Sequence, residues 1–87
     1  MTVILGRLLV TQGVLESVSR DELMDALARH SRGDWGLVDV DDQRANDEAL
    51  KNGSRLLSAY QTADGTAFWV ITEADRASTT VLLPGEY

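Results

Sequence analysis

Apolar and polar positions along this chain change period three times, and each change predicts an element. Residues 2–11 (TVILGRLLVT) are mostly β-branched or aliphatic and stop at Gln12-Gly13, which predicts a strand. Gly6 inside it marks a bulge, a bend or a close approach of backbone. Val14 to Ser17 is ambiguous and fits a short helical turn. From Ser19 the period becomes helical. Ser19-x-x-Glu22 has the spacing of a capping box, and Val18 and Leu23 are placed for a hydrophobic staple. Asp21 and Glu22 lie where the helix dipole favours negative charge. Leu23, Ala26, Leu27 and His30 then form one apolar stripe, and Gly33 ends the helix.

Asp34-Trp35-Gly36 reads as a turn whose indole folds back onto the core. Leu37 to Val40 fits a short extended segment. Asp41 or Asp42 can cap a second helix that runs to about Asn52 and stops at Gly53. Ala45, Ala49 and Leu50 give that helix only a narrow apolar stripe. Residues 53–87 switch to period two, with turn chemistry at Asp64-Gly65 and again at residues 74–78, and predict a three-stranded meander. Phe68, Val70 and Thr72 fall on one face, Trp69, Ile71 and Glu73 on the other. Both faces therefore carry large apolar groups, and the second is covered either by the second helix with the Trp35 turn or by a partner. Pro84 suits the edge end of the last strand. The expected fold is a single α+β domain over residues 1–87. Its sheet is mainly antiparallel, an N-terminal strand plus the meander, with one strong and one weak helix.

Composition narrows the chemistry. An 87-residue chain with 44% hydrophobic and 25% charged residues is of globular type, and one core is all it can fill. Absence of cysteine removes disulfides, thiolate metal sites and cysteine nucleophiles. Thr2-Val3-Ile4-Leu5 is far shorter than a membrane span and has no basic region before it, so a cytoplasmic location is expected. The net charge of −6 is concentrated. Asp34, Asp39, Asp41, Asp42, Asp47 and Glu48 face only Arg44 within residues 34–48, which leaves that segment at −5. Such a patch repels a phosphate backbone and attracts a basic partner, although a solvated face that keeps the protein soluble has the same composition.

Motifs for bound groups fail on spacing. Asp39-x-Asp41-Asp42 starts like a calcium loop, but Arg44 replaces its glycine and Leu50 its final glutamate. His30 is the only histidine, so neither a metal nor a cofactor is expected. Phosphate loops and a Gly-x-Ser-x-Gly elbow are absent from the sequence. One catalytic set remains. His30, Arg55, Tyr60, Thr72, Arg76, Thr79 and Thr80 are residue types used by small metal-independent endoribonucleases, with a His or Tyr as acid and base and an Arg on the phosphate. Structural duties suit the same residues: a core-edge histidine, arginines paired at strand ends, threonines forming strands.

Four runs carry a family resemblance. They are His30-x-x-Gly33-Asp34-Trp35-Gly36, Gly53-x-Arg55-Leu56-Leu57-Ser58-x-Tyr60, Trp69-Val70-Ile71-Thr72-Glu73-Ala74-Asp75-Arg76 and Ser78-Thr79-Thr80-Val81-Leu82-Leu83-Pro84-x-x-Tyr87. Together they resemble a family of small plasmid, phage and other mobile-element proteins, labelled plasmid-related or type I restriction-associated. The likeness spans roughly residues 28–87, with a weaker echo at Leu5-Gly6 and Thr11-x-Gly13, and departs at Ala77, where a serine is expected. A literal methylase role does not fit 87 residues. What the resemblance implies is a context in which small acidic proteins inhibit host defence, as anti-CRISPR and antirestriction proteins do.

The leading expectation is thus a non-enzymatic inhibitor that binds a basic surface of a nucleic-acid-handling defence complex. Asp34, Asp39, Asp41, Asp42, Asp47 and Glu48 would contact that partner, with Trp35 as an anchor if exposed. No direct nucleic-acid or membrane contact is expected. The rival is the endoribonuclease built on His30, Arg55, Tyr60, Arg76 and Thr79. A third reading is a structural subunit that forms a homodimer through its bare sheet face.

Overall fold

The structure, a computed structural model, describes residues 3–87. In chain order its elements are β1 (Arg7–Val10), α1 (Gln12–Ser17), α2 (Arg20–Ser31), α3 (Val40–Asn52), β2 (Leu56–Gln61), β3 (Ala67–Thr72), β4 (Ser78–Leu82) and a 3-10 turn, Pro84–Glu86. Three helices and one four-stranded sheet make it α+β.

Local chemistry sets most helix ends. The Ser19 hydroxyl accepts from the Glu22 amide at 3.1 Å and the Glu22 carboxylate accepts from the Ser19 amide at 3.4 Å, the capping box in both directions. Val18 is buried and Leu23 packs on the same cluster, as the staple requires. The ambiguous segment after β1 is α1. It starts at Gln12 because the Thr11 hydroxyl accepts from the Val14 amide. The third helix begins earlier than expected. Asp39, not Asp41 or Asp42, is its cap, accepting from the Asp42 amide at 2.8 Å, so Val40 is helical and not extended.

The sheet order is β1-β4-β3-β2. β2, β3 and β4 form the expected antiparallel meander, but β1 joins parallel to β4, so the sheet is mixed. β4 is consequently an inner strand, and Pro84 lies beyond its end in the closing turn. The ladder beside β4 is the one open to the N-terminal strand, because the outer side of β2 is already occupied. There Ala59 exchanges backbone bonds with Trp35 and Leu37 at 3.1 and 2.7 Å. The Asn46 side chain donates to the Leu57 carbonyl at 2.7 Å and accepts from its amide at 3.0 Å.

Two glycines permit these joins. A Cβ on Gly6 (φ +65°) would stand 2.5 Å from the carbonyl oxygens of Arg76 and Ala77, so the close-approach reading of this residue is the correct one. A Cβ on Gly36 (φ +74°) would collide with the Ala59 carbonyl oxygen.

All three helices pack on one face of the sheet. Val14, Val18, Ala26 and Leu27 meet Tyr60, Phe68, Val70 and Val81 there. Trp35, Ala49, Leu56 and Val3 form an adjoining cluster. Burial of each large apolar side chain contributes about 1.5–3 kcal/mol. α3 sits where this face meets the β2 edge, buries Asn46 and Ala49, and packs Leu50 at the margin of the second cluster. The opposite face is covered neither by α3 nor by the Trp35 turn. Part of it lies under the C-terminal turn, where the Tyr87 ring meets Trp69 edge-on at 5.8 Å. No helix among the described residues is long and apolar enough to cross a membrane.

Candidate functional site

His30 lies on the last turn of α2, aimed at the sheet, and is 0% exposed. Its Nδ1 is 2.5 Å from the Ser58 hydroxyl on β2, and its Nε2 is 2.8 Å from the Thr72 hydroxyl on β3. Thr72 is in turn 2.8 Å from the Thr79 hydroxyl on β4, which donates to the Leu5 carbonyl at 2.6 Å. One carbonyl end orients the whole chain. A carbonyl only accepts, so Thr79 must donate to it and accept from Thr72. Thr72 has then used its proton and must accept from Nε2–H. Full burial favours the neutral ring, whose Nδ1 is then bare, and Ser58 donates to it. The imidazole is neutral, in its Nε2–H tautomer, with every polar atom satisfied.

Burial pushes the His30 pKa down to about 4, and the nearby charge of Arg76 pushes the same way. The Trp35 ring closes the site edge-on at 5.6 Å. An acid or base must reach its substrate, and this ring touches no solvent. Its evident work is to fasten α2 to three strands and the segment before β1.

The remaining residues of the catalytic set do not gather around it as an exposed group. The Tyr60 phenol is buried, its pKa pushed up to about 12, and it donates to the Asp34 carbonyl at 2.6 Å. Arg29 lies over its ring at 4.8 Å. Arg76, at φ 60°, spends its guanidinium on the carbonyls of Ser54 (2.7 Å), Glu73 (3.1 Å), Ala74 (3.3 Å) and Ala49 (3.1 Å). It thereby ties the β3–β4 turn to the C-terminal end of α3, where a cation is favoured. Thr79 is wholly buried. Arg55 precedes β2 on the other face of the sheet, over the Tyr87 ring at 5.5 Å. Thr80 is half-buried beside Ile71. No cavity opens among the described residues.

The acidic set divides in two. Asp34 forms a two-point pair with Arg29 at 2.8 and 3.2 Å and accepts from the Gly36 amide, and the Arg29 bond above all holds its pKa low. Asp39 is the α3 cap. Asp47 accepts from the Trp35 indole at 3.2 Å. Trp35 itself is buried at 5% exposure, so it offers a partner no anchor. Asp41, Asp42 and Glu48 are different. They are exposed, and no hydrogen bond or ion pair within the described residues engages their carboxylates. At 100° per residue Asp41 and Glu48 lie on the side of α3 away from Asn46 and Ala49.

Two residues of consequence escaped the sequence reading. Asn46 helps the Trp35–Leu37 backbone to close the β2 edge, and Ser58 completes the histidine chain. Neither belongs to a motif, though an asparagine in line with Ala49 and Leu50 on an apolar stripe is a signal for a buried polar contact. No family model, curated protein or solved structure matches the chain.

Proposed function

We propose that this chain is a non-enzymatic binding protein of a mobile element, which inhibits a host nucleic-acid-handling defence complex of the kind that anti-CRISPR and antirestriction proteins target. The observation that carries the reading is α3. This helix buries Asn46 and Ala49, with Leu50 packed at the core's margin, and displays the carboxylates of Asp41, Asp42 and Glu48 without partners among the described residues. Free carboxylates on a rigid element can substitute for phosphates against Lys and Arg in a nucleic-acid channel. The endoribonuclease alternative draws no support from the geometry, because His30, Tyr60 and Thr79 are interior and Arg76 is engaged by four carbonyls.

The test is capture of purified defence complexes on the immobilised protein across a range of salt. Steering by exposed charge should make association slow steeply between about 50 and 300 mM salt, in keeping with a Debye length of about 8 Å at physiological strength. The combined Asp41→Asn, Asp42→Asn and Glu48→Gln variant should associate at least about tenfold more slowly at low salt. Binding that ignores both salt and these substitutions would overturn the acidic-mimic reading.

A further inference from the structure

The two edges of the sheet are treated unequally. β2 has its outer side closed twice over, by the Asn46 amide and by the Trp35–Leu37 backbone. β1, at the other edge, has nothing comparable among the described residues. Arg7 and Thr11 donate inward to the carbonyls of Ala77 and Val81, at 2.9 and 3.1 Å. In a parallel ladder inward and outward amides alternate, so the N–H and C=O of Leu8 and Val10 point away from the sheet. No hydrogen bond to the amide of either residue exists among the described residues apart from this sheet. Beside this bare ladder stand Leu8 (44% exposed) and Leu9 (41%), with Arg7 as the one charge of the strand. An open edge flanked by aliphatic groups is a template for another strand, and proteins that stay monomeric normally guard it with charge, proline or a covering element.

We propose that β1 is a dimerisation edge, where two copies of this chain pair their β1 strands antiparallel about a two-fold axis at Leu9. The register is self-consistent. Leu8 then opposes Val10 of the second copy and Val10 opposes its Leu8, and these are the residues whose amides point outward, so each pair exchanges both bonds. Leu9 meets its own counterpart in the intervening non-bonded position, where side chains approach most closely.

Charge distribution is compatible with a second copy. The acidic helix α3 lies against β2, at the far edge, while residues 1–33 carry four bases and four acids. Across an eight-stranded sheet the two β2 strands are seven spacings apart, about 34 Å. That is about four Debye lengths at physiological salt, so the two −5 segments do not oppose association.

Sedimentation velocity from about 1 to 300 µM decides the matter, read as mass against the 9.5 kDa of one chain. The expected result is a concentration-dependent rise to twice that mass. Leu8→Pro removes an outward N–H that the monomer does not use, at an exposed position, and Leu9→Lys places like charges at the axis. Each should raise the dissociation constant at least about tenfold while circular dichroism stays unchanged. The variant neutralised at Asp41, Asp42 and Glu48 should dimerise as the parent does, which separates this proposal from the binding function. A parent that stays at the monomer mass throughout would overturn the pairing and leave the edge for a strand of another protein. A dimer indifferent to both β1 substitutions would overturn it too, by placing the interface elsewhere.

Discussion

Acidification from pH 7 to pH 5 should destabilise this fold through His30 before any carboxylate contributes. The folded pKa of about 4 lies below the value of about 6.5 expected for the unfolded chain. The unfolded state therefore binds the proton first, and stability falls as pH drops below about 6.5, down to about 4. A displacement of that size, evaluated between pH 7 and pH 5, amounts to about 2 kcal/mol. The structural cause is specific: a proton on Nδ1 would confront the Ser58 hydroxyl that now donates to it, at a fully buried ring near Arg76. Glu22, Asp34, Asp64 and Glu86 are held below their ordinary carboxylate values by hydrogen bonds. Their contributions are present above about pH 5 and are lost as pH falls below it, outside this window.

Urea unfolding followed by tryptophan fluorescence suits the measurement, since Trp35 lies against the imidazole. With a slope of about 1 kcal/mol per molar urea, the midpoint should fall by about 2 M between the two pH values. His30→Gln cannot titrate. It should be less stable at pH 7, yet nearly flat from pH 7 to pH 5. The ring nitrogen shifts in the parent should show the Nε2–H tautomer throughout. Coincident parent midpoints at the two pH values, or an equal loss in His30→Gln, would refute the buried neutral imidazole.

Other substitutions probe the two latches that the tertiary structure assigns. Asn46→Asp keeps the shape but faces the Leu57 carbonyl with a carboxylate, and should cost about 1–3 kcal/mol in urea unfolding; stability equal to the parent would deny the edge-closing role. Arg76→Ala should lose about 1–3 kcal/mol and raise amide exchange at the C-terminal end of α3, whose Ala49 carbonyl it holds. Unchanged exchange there would mean that the guanidinium does not fasten the helix.

The legible parts of the sequence were those whose causes are local. A Ser-x-x-Glu box, an i, i+3, i+4, i+7 stripe and a two-residue alternation each act over a few residues, so α2 and the meander followed directly. Where two local solutions competed, neighbours decided. Asp41 and Asp42 were the expected caps of the third helix, but Asp39 takes that place in a chain whose Trp35–Leu37 segment is pinned to β2. The site residues were legible only as types. His30 satisfies the apolar stripe and the catalytic inventory equally well, and only its position above Ser58, Thr72 and Thr79 shows which demand it meets.

By itself, then, the sequence determined the helix with its cap, the period-two meander, the charge asymmetry and the lack of cysteine, all properties of neighbouring residues or of composition. Tertiary structure decided what depends on residues far apart in the chain. It set β1 parallel beside β4, hid Trp35 and His30, and turned Arg76 inward. It also left Asp41, Asp42 and Glu48 in solvent and one sheet edge uncovered. The physical reason is that burial and hydrogen-bond completion are pairwise conditions: Thr79 and Leu5 stand 74 residues apart, and neither alone states that the other will be there.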